Sequence, residues 1–199
     1  MKQVIFKKKE VWKMTKHTVK TEEDILKAFE NESRARWTYK AFADKAEQEG
    51  NHEVAKLFRA AAASEEIHAN SLLKALQEMS RATNELWVSG MYDPKMVKDS
   101  TADNLKEAIN ENIELSKLYP RMIQDAEKDG WSFARECFTY ASAVDKVHES
   151  LFNNALQNLG KKKSVEYFVC ESCGNTIDHK PADSCKVCDS HESAFRLIQ

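Results

Sequence analysis

Two stretches of this sequence repeat the same exception to an otherwise apolar stripe. Taken at steps of three and four, one reads Val54, Phe58, Ala61, Glu65, His68, Leu72, Ala75 and Met79. The other reads Ala134, Phe138, Ala141, Asp145, His148, Phe152, Ala155 and Leu159. Such spacing places each set on one face of an α-helix. Each face is apolar except for a carboxylate and a histidine three residues apart, near mid-helix. Two further helical stretches bring acids to similar stripes: Glu32 between Phe29 and Tyr39, and Glu111 with Glu114 among Ala108, Leu115 and Leu118. An ionised carboxylate in an apolar interior is costly unless something pairs with it. A single Glu-x-x-His is explained by ion pairs on an exposed face. Two copies on matching stripes, with further acids at the same height, point to two bound cations, and carboxylate and imidazole donors suit iron.

The helices that carry these residues can be bounded from the sequence. Glycine is scarce, and Gly50, Gly130 and Gly160 each follow a long periodic segment, as a helix C-terminal glycine does. The expected helices run from Thr21 to Glu49, from after Asn51 to Met79, from Ser100 or Thr101 to just before Gly130, and from Trp131 to Leu159. Thr21 with Asp24 resembles a capping box, and Asn51 suits an N-cap. Each helix would span roughly 40 Å at 1.5 Å per residue. The first and second are separated by a very short turn, as are the third and fourth, so each pair should form an antiparallel hairpin. Residues 80–99 provide one long crossover between the hairpins. The expected architecture is an all-α, ferritin-like four-helix bundle, with Pro120 kinking or splitting the third helix. The spacings Glu32 to Glu65 and Glu111 to Asp145 differ by only one residue, which suggests two hairpins related by a pseudo-two-fold axis.

Four of the five cysteines fall in the last 30 residues, as Cys170-x-x-Cys173 and Cys185-x-x-Cys188. Two such knuckles can set four thiolates around one metal, zinc or iron. The tail is too short for a stable apolar core without that staple. Cys137 stands alone and is expected to be a buried thiol.

Together these parts resemble the rubrerythrin family, in which a ferritin-like di-iron bundle is followed by a rubredoxin-like domain. The resemblance covers about residues 20–199 and is carried by Glu32-Ser-Arg-Ala-Arg, Glu65-x-x-His68, Glu111-x-x-Glu114 with Leu118-Tyr119-Pro120, Asp145-x-x-His148 and the cysteine knuckles. It implies that Glu32 and Glu111 are terminal ligands of one iron, and Glu114 and His148 of the other. Glu65 and Asp145 would bridge, His68 would replace the Glu111 ligand on reduction, and Tyr39 and Tyr119 would lie beside the site. Cys170, Cys173, Cys185 and Cys188 would hold one further iron, with manganese or zinc as substitutes. Two departures stand out: Asp145 where the family usually has Glu, and Lys186 where rubredoxins usually have Pro. The implied activity is reduction of hydrogen peroxide to water in oxidative-stress defence. Electrons would come from a separate NAD(P)H-dependent reductase or a rubredoxin and pass through the four-cysteine site. The implied assembly is a head-to-tail homodimer. The alternatives are a ferroxidase or iron-handling protein, and a non-enzymatic bundle bearing a structural zinc ribbon.

Other features set limits. A formal net charge of −2 gives no indication of nucleic-acid binding. No apolar run approaches the ~20 residues of a membrane span, and no Gly-x-Gly-x-x-Gly fingerprint of a dinucleotide site occurs. Residues 1–20 contain seven Lys and one Glu, without the apolar stretch of a secretory signal. A cytoplasmic location is expected. The expected division is a basic leader over 1–20, the bundle over 21–160, a linker over 161–166 and a rubredoxin-like domain over 167–199. Lys9-Glu10-Val11 can be encoded by a ribosome-binding sequence, so translation is expected to start at Met14.

Overall fold

The computed structural model describes residues 19–79, 94–161 and 164–199. The Met14 start and most of the crossover therefore lie outside the described residues. Four helices dominate: α1 (Lys20–Gln48), α2 (His52–Glu78), α3 (Thr101–Asp129) and α4 (Ser132–Gln157). They start and stop within two residues of the positions expected from glycine and cap placement. Helix α1 packs chiefly on α2, and α3 on α4, as the short turns require. Gly130 ends α3 in the left-handed conformation, with φ of 79°. Pro120 does not split α3, which runs through it as one helix; the single N–H it removes is outweighed by burial of Tyr119 and Met122 on either side. No helix among the described residues is long and apolar enough to cross a membrane.

The apolar side chains fall into two clusters, one above and one below a polar layer. One holds Tyr39, Phe42, Leu57, Phe58, Leu105 and Phe152. Its aromatic rings approach with centroid separations of 5.3–6.3 Å. The other includes Ile25, Leu72, Leu76, Tyr119, Met122 and Phe138. Along every helix the chain passes from one cluster to the other, and the buried polar residues Glu32, Glu65, His68, Asn112, Asp145 and His148 mark the crossing.

The two hairpins correspond at an offset of 80 residues, which pairs Thr21 with Thr101, Tyr39 with Tyr119, Glu49 with Asp129, Glu65 with Asp145 and His68 with His148. The offset pairs Glu32 with Asn112, not with Glu111. Contacts obey the same symmetry. Thr21 donates its backbone N–H and hydroxyl to Asp129 Oδ2, at 3.0 and 2.8 Å. Thr101 does the same to Glu49 Oε2, at 2.8 and 2.6 Å. Each hairpin thus caps the first helix of the other with an acid, where free N–H groups and the helix dipole favour negative charge. This replaces the local Thr21–Asp24 box: the N-cap position of α1 is Val19, with no side-chain cap. Asn51 stands at the N-cap of α2, but its side chain donates to Thr101 Oγ1 at 3.1 Å. Ser100 caps α3 locally, accepting from Asp103 N at 3.1 Å.

After residue 163 the chain forms a small antiparallel sheet, β1 (Tyr167–Cys170), β2 (Thr176–Ile177) and β3 (Phe195–Ile198), in the order β2-β1-β3. Strand β1 packs on α2, and Tyr167, Val169 and Ile198 join the first apolar cluster.

The reciprocal caps should carry measurable stability. Thr101 holds the Glu49 carboxyl at about 2, below its ordinary 4.5. This contribution is present above pH 4.5 and is lost as pH falls toward 2. Glu49→Ala and Asp129→Ala should each cost about 0.5–2 kcal/mol at neutral pH. Urea unfolding followed by circular dichroism checks this, and the Glu49→Ala deficit should shrink in acid.

Candidate metal centres

Among the described residues, three groups of donor atoms lie close enough for metal binding. Glu32, Glu65 and His68 form one, Glu65, Asp145 and His148 a second, and Cys170, Cys173, Cys185 and Cys188 a third; within each group the ligand atoms lie within 4.8 Å of one another. Glu65 belongs to both bundle groups. Its Oε2 is 2.9 Å from His68 Nδ1 and its Oε1 is 3.1 Å from His148 Nδ1. Glu32 Oε2 lies 3.5 Å from His68 Nδ1. All five side chains are buried.

The donor set fits two metal ions. Glu32 Oε2, both oxygens of Asp145 and His148 Nδ1 are buried without a hydrogen-bond partner; the contact of His148 Nδ1 with Glu65 is too poorly aligned to count as one. Such orphaned atoms are rare in a native interior, and four of the eight found among the described residues belong to these two groups. Asp145 groups with Glu65 and His148 but not with Glu32 and His68, in keeping with its shorter side chain.

Two tyrosines frame the cluster in pseudo-symmetric fashion. Tyr119 donates its hydroxyl to Glu32 Oε1. Tyr39 accepts from Asn112 Nδ2 at 3.1 Å. Burial, followed by the charge of Glu32 at Tyr119 and of Glu111 at Tyr39, raises both phenols well above 10, so both keep their protons.

The two helix α3 acids are placed differently from the expectation drawn from the family. Glu114 is not brought to the cluster: its side chain is 74% exposed and pairs with Lys117 at 2.7 Å. At roughly 100° per residue, it lies about 120° around the helix from the buried stripe through Ala108, Leu115 and Tyr119. Glu111 lies about 60° from that stripe. It is 14% exposed, stands 3.8 Å from Arg34 Nε, and is in neither triplet. Asn112 takes the buried position on this turn. Residue type alone does not point to Asn112, although the 80-residue offset from Glu32 identifies it.

The four cysteines form a compact sulfur cluster, with Cys170 Sγ 3.7 Å from Cys188 Sγ and Cys173 Sγ 3.6 Å from Cys185 Sγ. The two knuckles have matching backbone turns, Gly174 N to Cys170 O at 2.8 Å and Asp189 N to Cys185 O at 2.9 Å. Tyr140 of α4 and Phe195 pack against the sulfurs. The first knuckle lies directly on the carboxylate cluster: His68 Nε2 is 3.0 Å from the Cys173 carbonyl and His148 Nε2 is 3.0 Å from Thr176 Oγ1. A cavity of about 40 Å³ lies between His68, Cys137, Tyr140 and Cys173. Cys137 is buried as expected, and burial raises its thiol to about 12. The larger cavity, about 590 Å³, lies among the helix ends near Asn51, Leu159 and Tyr167, away from both metal-binding clusters.

Comparison with known proteins agrees with this geometry. The rubrerythrin family model matches residues 23–167. Rubrerythrin of Porphyromonas gingivalis is 31% identical over 198 residues, covering 96% of this chain and 95% of that protein. Rubrerythrin-1 of Clostridium acetobutylicum is 29% identical over 185 residues, covering 90% and 94%. The fully reduced, all-ferrous structure of nigerythrin superposes with a TM-score of 0.82 at 26% identity, covering 94% of this chain and 91% of that one. An open-pore ferritin from Archaeoglobus fulgidus shares the fold at 14% identity and a TM-score of 0.61.

The buried acids give the metal-free bundle an unusual pH dependence. Burial and the Glu65 charge push Glu32 up to about 7. Burial, only partly opposed by Arg34, lifts Glu111 to about 7. Burial and the charges of Glu32 and Glu65 raise Asp145 well above its ordinary range. Burial disfavours the His68 imidazolium, but Glu32 and Glu65 more than reverse this and raise its pKa. Burial would also raise Glu65, yet His148 and His68 hold it down. An acid whose folded pKa is raised binds more protons folded than unfolded, so it favours folding less as pH rises from 4.5 toward 7. His68, raised by its partners, loses its contribution in the same direction. Metal-stripped protein should therefore melt at a higher temperature at pH 5.5 than at pH 8, and metal ions should remove the difference. Calorimetry of stripped and loaded protein measures both.

Proposed function

Because the chain belongs to the rubrerythrin family, we propose that it is a non-haem di-iron peroxidase that reduces hydrogen peroxide to water as a defence against oxidative stress. The observation that supports this best is the pair of buried donor triplets sharing Glu65, in direct contact with a four-cysteine knuckle. Glu32, Glu65 and His68 would hold one iron, and Glu65, Asp145 and His148 the other. Glu111 stands beside the cluster, and Glu114 would have to turn inward to join it. Iron held by these residues would supply the two electrons that reduction of one peroxide to two waters needs, together with two protons.

The chain's own groups have definite tasks in that scheme. Tyr119 fixes one oxygen of Glu32 and leaves the other free for metal. The apolar clusters on both sides exclude bulk water. The cavity of about 40 Å³ beside His68 and Cys173 has room for a water-sized molecule next to one histidine of the cluster.

The four-cysteine centre would refill the bundle one electron at a time. A single hydrogen bond, His68 Nε2–H to the Cys173 carbonyl, joins a cysteine of one centre to a histidine of the other. Electrons would originate from NAD(P)H through a separate reductase or a rubredoxin, since this chain carries no dinucleotide fingerprint. A head-to-tail homodimer would make the contact between two copies. The intrachain version has its own support: Val165, near the end of the linker, donates its N–H to Glu53 Oε2 of the same chain at 2.7 Å. Iron storage alone would not require a second, thiolate-bound centre, which favours the peroxidase over the ferroxidase reading.

Two experiments test this. Glu65→Ala removes the ligand common to both triplets, so it should abolish metal loading of the bundle and nearly all peroxide turnover. Zinc in the four-cysteine site preserves that fold but carries no electron. With zinc there and iron in the bundle, prereduced protein should still consume one equivalent of peroxide in stopped-flow absorption, while NAD(P)H-linked turnover should stop. Sustained turnover in the zinc form would overturn the relay.

A further inference from the structure

Both histidines of the carboxylate cluster turn the same ring edge toward the four-cysteine unit. The Cys173 carbonyl can only accept, so His68 Nε2, 3.0 Å away, carries a hydrogen. Thr176 has one hydroxyl proton, which it donates to the Gly174 carbonyl at 3.3 Å. Its oxygen is then left to accept from His148 Nε2–H at 3.0 Å. Both rings are thereby fixed with Nε2–H outward and Nδ1 directed at the shared Glu65, at 2.9 and 3.1 Å. Ser64 Oγ adds a third bond of 2.7 Å to the Gly174 carbonyl. The approach depends on glycine. A Cβ on Gly174 would lie 2.6 Å from both His68 Nε2 and Ser64 Oγ, and its φ of +81° is itself unfavourable for other residues.

We infer that residues 173–176 set the ring orientation and proton position of His68 and His148, so that the bundle centre holds its metals tightly only while the four-cysteine unit is docked on it. This rests on the bundle being a metal centre, as proposed above. The outer hydrogen bond of a metal-binding histidine fixes its tautomer and raises its basicity, and losing one typically weakens metal binding about 10–100-fold. In this chain both outer bonds come from one four-residue segment of another structural unit. The coupling is reciprocal: metal in the bundle must stabilise docking by the same factor that docking tightens the metal. Ser64, Thr176 and Gly174 are positioning residues in this scheme, since none of them offers a donor atom to the metals.

The test uses the full chain with zinc first filling the four thiolates, followed by cobalt(II) titrated into the bundle against a competing chelator. Thr176→Val keeps the side-chain shape and removes the acceptor, so it should weaken one of two cobalt ions by about 10–100-fold; Thr176→Ser should restore it. Gly174→Ala forces the knuckle away and should weaken both ions. Cobalt binding to the wild-type bundle should slow hydrogen exchange at the amides of residues 173–176. Unchanged cobalt affinity in both Thr176→Val and Gly174→Ala would overturn the coupling while leaving the metal centre standing. A wild-type bundle that takes up no cobalt would overturn the metal centre and the coupling together.

Discussion

The cost of burying charge at mid-bundle governs much of this molecule. Glu32, Glu65, Asp145, His68 and His148 occupy one layer with an apolar cluster on each side, so none can be solvated by swinging a side chain outward. Protons can relieve part of the repulsion, which is why burial pushes Glu32 toward neutral pH and Asp145 upward. Cations relieve it more completely, because they also satisfy the orphaned oxygens and nitrogen. The same layer that weakens the metal-free fold thus makes a strong ligand for two ions. Folding and loading are coupled through one set of side chains.

The pseudo-two-fold axis explains why the layer is so regular, and its imperfection explains why the two halves are unequal. Tyr119 meets Glu32 on one side, while Tyr39 meets Asn112 on the other. An acid thus faces an amide across the symmetry. Glu65 and Asp145 are similarly matched but differ by a methylene, and only Glu65 reaches both groups. The Glu32 half therefore brings two acids into the triplets, Glu32 and Glu65, and the His148 half brings one, Asp145, with Glu111 standing beside them. Neighbouring ends of the bundle keep the symmetry intact, through the reciprocal acid caps at Thr21 and Thr101.

Attachment of the small sheet turns a metal-binding bundle into a two-centre protein. Its first knuckle supplies the sulfur ligands Cys170 and Cys173, and the backbone immediately after them reaches the two histidines. A single segment therefore serves both centres. Glycine at 174 allows the approach, and Tyr140 from α4 covers the sulfurs from the bundle side.

Local pattern was enough to reveal a large part of this. Helix bounds follow from glycine placement and the 3.6-residue period. Two-metal chemistry follows from acids and histidines interrupting apolar stripes, and the thiolate centre from paired knuckles, because each signal lies within a few residues of chain. Three things were decided only by tertiary structure. The acids that cap α1 and α3 come from the opposite hairpin, in addition to the local Ser100 cap of α3, so no local rule could name Asp129 or Glu49. The rotation of α3 brings Asn112 inward and leaves Glu114 in solvent; the spacing of two acids tells which face they share, but packing of Leu115 and Tyr119 decides which face is buried. Finally, the bonds from Cys173 and Thr176 to His68 and His148 join residues 28–105 positions apart, and only docking of the sheet on the bundle could bring them within reach.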